Sequence, residues 1–324
     1  MKHFTSVKDV ADLSALVTEA LVLKRNPFAY KELGRNKTLG LIFLNPSLRT
    51  RLSTQKAATN LGMEVMVMNI DKEGWALETQ EGVIMNGTTV EHIREAAGVM
   101  GRYFDILGLR SFPSLKNREE DYSEDILNKF IQYSGLPVVS LESGTLHPLQ
   151  SLADLITITE QSLPDRRPKV VMTWAPHVKA LPQAVPNSFA EWMCRAEVDF
   201  VIAHPQGYEL DPSFSQGATI THNQEEALAD ADFIYVKNWS SYRDYGQVLP
   251  VADDWLLTPD RLTQTNNGKV MHCLPVRRGL ELSHEILDGP ASLVLEQANN
   301  RIYAAQAVLK KMLEDNFIPD ERYA

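Results

Sequence analysis

Cysteine is nearly missing from this 324-residue chain: there are two, Cys194 and Cys273, far apart and in no ligand spacing. That excludes a disulfide scaffold and a cysteine-built metal centre, and it fits a reducing compartment. An excess of positive charge is missing too. Lys and Arg number 32 against 42 Asp and Glu, a formal net charge of −10, so general affinity for nucleic acid or anionic membrane is not expected. No apolar run approaches the ~18 residues of a membrane span. Met1 to Val10 is polar and mixed, without the apolar stretch of a signal peptide. The expectation is a cytoplasmic protein. Internal repeats, low-complexity tracts and an evident flexible linker are also lacking.

What is present is an ordinary globular composition, 44% hydrophobic and 23% charged, on a length that suggests about two domains. Strand-like runs alternate with helix-like runs. After a first helix near Leu13 to Arg25, strands are predicted at 39–44, 64–69, 105–109 and 137–141. Helices are predicted between them at 50–61, 90–103 and 123–134, with a loop at 70–79. A second series has helices at 148–160, 188–196, 224–229 and 295–314, and strands at 169–174, 198–203, 233–237 and 270–274. Repeated βα units imply parallel sheets covered by helices on both faces, hence two α/β domains with a boundary near 145–150. Ligands in such folds sit at the carboxyl ends of strands. The polar motifs fall there.

The stretch Asn45-Pro46-Ser47-Leu48-Arg49-Thr50-Arg51 joins the first of these strands to a helix start. Helix-start N–H groups, two hydroxyls and two guanidinium forks suit phosphate oxygens. A helix merely capped by Ser or Thr, with solvated arginines, would have the same sequence. Two further motifs narrow the choice: His147-Pro148-Leu149-Gln150 and His272-Cys273-Leu274-Pro275. In this order and separation, over essentially the whole chain, the three resemble the transcarbamylases, the aspartate and ornithine carbamoyltransferase family.

The resemblance implies an enzyme that binds carbamoyl phosphate. Ser47, Leu48, Arg49 and Thr50 would hold its phosphate with Arg110. His147 would donate to the carbamoyl oxygen and stabilise the oxyanion. Gln150 and the carbonyl of Leu274 would hold the carbamoyl NH2, Cys273 would lie beside the attacking amine, and Arg301 would lie near the carbamoyl end. Neither cofactor nor metal is implied. The implied domains are 1–147 for carbamoyl phosphate and 148–294 for the second substrate. A C-terminal helix at about 295–324 is expected to pack back on the first domain.

The second substrate is read from departures within the family. The Ser-Met-Gly loop that grips free ornithine is missing, and Val236-Lys237-Asn238-Trp239 stands in its place. Trp75 in the loop after the second strand, Lys237 near Trp239, and a proline-punctuated segment after Trp174 resemble the N-acylornithine transcarbamylases of arginine biosynthesis. Acylation removes the α-ammonium, so more cations are expected around the α-carboxylate: His177, Lys179, Lys237 and Arg278, with Glu142 for the δ-ammonium or the acyl amide. In such relatives the tryptophan reaches the neighbouring subunit's site, which implies a homotrimer, and a deep trefoil knot involves the 174–186 loop. Val90 stands where acetylornithine enzymes carry glutamate and succinylornithine enzymes proline. An apolar residue there removes a charge that would repel a succinyl carboxylate, so N-succinyl-ornithine is the expected substrate. Glu281 takes the place of a lysine carboxylated in the acetyl enzymes. The alternatives are carbamoylation of N-acetyl-ornithine or of free ornithine, and a non-catalytic paralogue that binds a phosphate ligand.

Overall fold

The computed structural model describes residues 1–163, 166–252 and 254–317. The chain forms two compact units. The first comprises Met1–Pro113, Glu119–Leu149 and the segment from Arg301 onward; the second comprises Ser114–Arg118 and Gln150–Asn300.

In the first unit, β1 (Thr38–Phe43), β2 (Glu64–Asn69), β3 (Ile106–Arg110) and β4 (Val138–Glu142) form a parallel sheet ordered β2-β1-β3-β4. β3 and β4 are buried throughout and β1 all but its first residue. Continuous apolar runs are what a parallel strand buried on both faces requires. Around the sheet lie α1 (Leu13–Arg25), α2 (Leu48–Asn60), α3 (Ile93–Tyr103) and α4 (Asp125–Ser134). Asp12 caps α1 by accepting from the Ala15 N–H at 2.9 Å, and Gly135 ends α4 in the left-handed region.

The second unit holds β5 (Lys169–Trp174), β6 (Asp199–Ala203), β7 (Thr219–Thr221), β8 (Phe233–Lys237) and β9 (Lys269–Met271) in the order β9-β8-β5-β6-β7, again all parallel. Among its helices are α5 (Pro148–Gln161), which begins two residues before the unit's edge, α6 (Ala184–Met193) and α7 (Gln224–Leu228). The last helix, α8 (Val294–Asn316), passes from this unit to the first at Arg301. Residues 318–324 of the expected C-terminal helix lie outside the described residues.

Sheet order decides where chemistry can gather. In the first unit the chain adds β2 on one side of β1 and then β3 on the other, so the order reverses between the carboxyl ends of β1 and β3. In the second it reverses between β5 and β8. Crevices open at such reversals. The 44–51 loop and Arg110 flank the first; the loops after Trp174 and Lys237 flank the second.

Several element ends differ from the sequence reading, each for a local reason. Helix α2 begins at Leu48 rather than Thr50, which places Arg49 inside its first turn. The loop expected at 70–79 contains a short helix, Ile70–Glu73, and a two-residue strand, Leu77–Glu78, paired with Glu91–His92; α3 therefore starts at Ile93, not Val90. Helix α6 begins at Ala184, four residues early. Its Pro186 sits in the first turn, where a missing N–H costs nothing. Strand β9 stops at Met271, before the His-Cys-Leu-Pro motif. There the His272 N–H is satisfied by the Gln297 side chain at 2.9 Å and the Leu274 N–H by His272 Nδ1 at 2.9 Å. Side chains have replaced a neighbouring strand as partners. The edge strand β7 and the helices Pro212–Ser215, Pro259–Leu262 and His284–Asp288 are too short to leave a periodic signal.

Between α2 and β2 the backbone turns at Gly62 with φ +83°, and a Cβ there would lie 1.9 Å from the Lys31 carbonyl oxygen. Gly62→Ala therefore adds left-handed strain to a backbone clash. It should lower the stability of the first unit by roughly 2 kcal/mol or more, read as a fall in its thermal midpoint; an unchanged midpoint would show that the turn relaxes.

Candidate active site

The register of β1, β3 and β4 places Arg110 beside Phe43 on one side and Glu142 on the other. The guanidinium of Arg110 donates to the Glu142 carboxylate in a short, buried ion pair. Arg301, on α8, donates from Nη2 to Thr50 Oγ1 at 2.6 Å, and the same nitrogen lies 3.5 Å from His147 Nε2. An arginine can only donate, so Nε2 must carry the lone pair and Nδ1 the hydrogen. The Nδ1 atom is buried and has no hydrogen-bond partner among the described residues.

Burial first, then Arg301, Arg110 and Arg49, push the His147 imidazole well below its ordinary range. The ring is neutral at pH 7. Three guanidiniums thus gather about a neutral imidazole, with one carboxylate, Glu142, its oxygen 3.7 Å from Nε2, to offset them. The surplus positive charge favours an anion, and the imidazole offers one N–H donor. Ser47 stands at the N-cap of α2, yet its hydroxyl makes no cap bond, and Leu48 is 70% exposed. The 47–51 stretch is therefore not a side-chain-capped helix start.

One residue escaped the sequence reading altogether. Glu124, itself in the left-handed region at φ +54°, accepts from the Ser143 hydroxyl at 2.6 Å, the Gly144 N–H at 3.1 Å and the Thr145 N–H at 2.7 Å, and from the Thr145 hydroxyl. Its carboxylate organises the loop that delivers His147. A lone glutamate on a polar stretch gives no signal of that.

In the second unit the Gln150 amide donates to Asp154 Oδ1 at 2.7 Å, and that oxygen also accepts from Gln297 at 2.6 Å. Cys273 is buried, and Leu274 has φ +56°, an expensive conformation for leucine. His272 holds the turn. Its Nδ1 accepts from Leu274, so the hydrogen lies on Nε2, which faces Glu281 at 3.4 Å. Burial pushes the Glu281 carboxyl up, but the hydrogen bond and charge of His272, then Lys237 and the Arg277 N–H, hold it below its usual value. Lys237, the last residue of β8, is buried and lies across from Trp174.

Lys179 is exposed, and its backbone brackets the His177 ring: Nδ1 lies 2.9 Å from the Lys179 carbonyl, while Nε2 accepts from Arg277 Nε at 3.0 Å. The expected partner, Arg278, is turned elsewhere. It forks onto Asp288 at 2.8 and 2.7 Å on the surface. The arginine beside His177 is Arg277, one residue earlier; two adjacent arginines cannot be told apart without the turn that splays them.

Trp75 and Val90, 15 positions apart, belong to one ribbon. The Val90 N–H donates to the Ala76 carbonyl at 2.9 Å, and Trp75 Nε1 donates to Glu91 at 2.9 Å. Both side chains are exposed, at 55% and 64%. Trp75 borders an apolar cavity of about 310 Å³ lined by Leu44, Ile70, Leu77, Ile93 and Phe130.

The fold and this polar set define a class. Residues 2–160 match the carbamoyl-P binding domain of aspartate/ornithine carbamoyltransferase, and residues 182–312 match the Asp/Orn binding domain; the chain belongs to the aspartate/ornithine carbamoyltransferase family. Within it, the chain is 54% identical to N-succinylornithine carbamoyltransferase of Bacteroides fragilis, over 97% of this chain and 99% of that protein. It is 33% identical to N-acetylornithine carbamoyltransferase of Xanthomonas campestris pv. campestris, over 97% and 98%. The fold superposes at a TM-score of 0.89 and 33% identity on a crystal structure of N-acetyl-L-ornithine transcarbamylase with a glutamate-to-alanine change, complexed with carbamyl phosphate and N-succinyl-L-norvaline; 96% of this chain and 100% of that one are covered. Variants with valine or proline at that glutamate hold the same pair of ligands. Among the described residues no helix is long and apolar enough to cross a membrane.

The depressed His147 pKa has a consequence for stability. Between its folded value and the unfolded value near ~6.5, the unfolded chain binds more protons, so stability is full above that unfolded value and is lost as pH falls below it. His147→Gln removes this linkage. The thermal midpoint of the variant should fall less between about pH 7 and pH 5 than that of the parent; parallel profiles would show that the ring is not held neutral.

Proposed function

We propose that this protein transfers the carbamoyl group of carbamoyl phosphate to the δ-amine of N-succinyl-L-ornithine, giving N-succinyl-L-citrulline and phosphate, in cytoplasmic arginine biosynthesis. The observation that carries the reaction is the neutral, buried His147 with its Nδ1–H unpaired amid Arg49, Arg110 and Arg301. The acyl group rests on the 54% identity to an N-succinylornithine carbamoyltransferase.

In this reading the first unit binds carbamoyl phosphate. The N–H groups at the start of α2, the hydroxyls of Ser47 and Thr50, and Arg49 and Arg110 take the phosphate. The His147 N–H meets the carbamoyl oxygen and is worth most once that oxygen becomes an oxyanion. The neutral δ-amine attacks the carbamoyl carbon, the C–N bond forms, and the tetrahedral intermediate expels phosphate, which accepts the ammonium proton. Gln150, oriented by Asp154, and the Leu274 carbonyl accept from the carbamoyl NH2, with Cys273 alongside. Arg301 positions Thr50 and His147.

The second unit binds the acylornithine through Lys237 and the His177–Arg277 pair, and Lys179 and Glu142 serve the same substrate. Arg277 replaces Arg278 in this role because Arg278 is committed to Asp288. Val90 selects the acyl group. An apolar side chain leaves a succinyl carboxylate unopposed, in keeping with N-succinyl-L-norvaline bound to transcarbamylases whose glutamate is replaced by alanine, valine or proline. The chain works as a homotrimer in which the Trp75–Val90 ribbon reaches the neighbouring site. Support comes from its run of uncovered apolar side chains: Trp75, Val83, Ile84, Met85 and Val90. The trefoil knot belongs to the same reading. It is supported by bonds tying 238–240 to the loop after Trp174: Asn238 to Ala175 at 2.6 Å, Ser240 to Leu181 at 3.0 Å and Gln183 to Ser240 at 2.8 Å. The N-acetylornithine relatives favour N-acetyl-L-ornithine as the second reading.

Carbamoylation assays with N-succinyl-, N-acetyl- and free L-ornithine test the claim. The highest kcat/KM is expected with the succinyl compound, and turnover of free ornithine alone would overturn it. His147→Ala should lower kcat by roughly 10²–10³-fold, and a loss under tenfold removes the oxyanion role. Val90→Glu should move the succinyl-to-acetyl ratio towards acetyl; a ratio that stays put means another residue selects.

A further inference from the structure

Outside this machinery, the second unit carries a cluster that the reaction does not use. His204 follows the end of β6, His222 follows the end of β7, and Glu209 lies in the loop after His204. One ligand atom from each of the three lies within 4.8 Å of the others. The two rings are 5.0 Å apart, edge to face.

The hydrogen bonds around them fix which atoms are available. His204 Nδ1 lies 2.8 Å from the Pro205 carbonyl oxygen, and His222 Nδ1 lies 2.9 Å from the His204 carbonyl oxygen. A carbonyl oxygen only accepts, so each Nδ1 must carry the hydrogen. Each Nε2 therefore presents a lone pair, and neither Nε2 has a hydrogen-bond partner among the described residues. An imidazole tied back through one N–H to a backbone carbonyl is the usual dress of a metal-ligating histidine. The carboxylate is held in a similar way: Glu209 Oε1 accepts from the Gly207 N–H at 3.2 Å, which leaves Oε2 for an ion.

The scaffold is rigid. The His204 N–H donates to the Thr221 carbonyl at 3.2 Å across the two strand ends. Buried Tyr208, next to Glu209, is held at its carbonyl by Trp239 Nε1 at 2.7 Å and at its hydroxyl by both backbone groups of Leu249, at 3.0 and 2.8 Å. Two neutral imidazoles and one carboxylate are a donor set for a borderline divalent transition ion, with coordination left for water; hard oxygen-seeking cations such as Mg²⁺ prefer carboxylates and carbonyls.

We propose that His204, Glu209 and His222 form a binding site for a divalent transition-metal ion of the Zn²⁺ class, which clasps the carboxyl ends of β6 and β7 and takes no part in carbamoyl transfer. The test uses the full chain without a histidine tag, stripped of metal and titrated with ZnCl₂ alone in a calorimeter, beside His222→Ala and Glu209→Gln. Both changes are at the surface side of the cluster, and the Gln side chain keeps an acceptor for Gly207, so both variants should fold and retain the parent's carbamoylation rate without added metal. Saturable binding of one Zn²⁺ per chain is expected, with affinity reduced at least ~10-fold in each variant and a Zn²⁺-dependent rise in thermal midpoint in the parent only. Failure to bind one equivalent, binding equal in parent and variants, or a matching response to MgCl₂ would each overturn the proposal.

Discussion

Arg110 and Glu142 meet because β3 and β4 lie side by side and their pairing shifts by one residue after Leu109, and they meet in a place almost closed to water. Charges so buried are tolerated only in company; removing one partner of such a pair costs about 3–5 kcal/mol. Once Arg110 is balanced by Glu142, two more arginines can approach His147 without the cluster becoming untenable; burial first, and then the field of the guanidiniums, keeps the imidazole neutral. The geometry of the first unit depends on this balance. In the proposed function a phosphate dianion would complete it, and the surplus of positive charge would then contribute to binding.

The loop bearing His147 shows how neighbouring side chains hold a site in place. Glu124 gathers four donors from Ser143, Gly144 and Thr145, and Arg301 ties His147 to Thr50. In the second unit His272 does comparable work. It fixes the left-handed turn at Leu274 with one nitrogen and faces Glu281 with the other. A backbone carbonyl aimed by such a turn is a more rigid acceptor than any side chain, since no rotamer must be frozen when it binds.

Much of the frame was legible in the residues. Buried parallel strands are runs of apolar residues, and the centres of β1, β3, β5 and β8 could be read from those runs alone. Their ends could not. Where β9 stops depends on Gln297 and on the His272 ring taking up backbone donors, and where α6 starts depends on a proline that a first turn accepts. The residue pattern pointed to Arg278, but the turn after Pro275 sends Arg278 to Asp288 and its neighbour Arg277 to His177.

The order of apolar runs and three ordered motifs settled the fold class and the family, because both are carried by local pattern: periodicity is a property of neighbours in the chain. What tertiary structure alone decided is which distant residues share a place. The reversal of strand order sets Arg110 beside the 44–51 loop, a single backbone bond joins Val90 to the segment of Trp75, and two strand ends bring His204 and His222 together. Side-chain chemistry is written residue by residue, but electrostatic fields and hydrogen-bond partners arise from proximity, and proximity is fixed only once the sheets have formed.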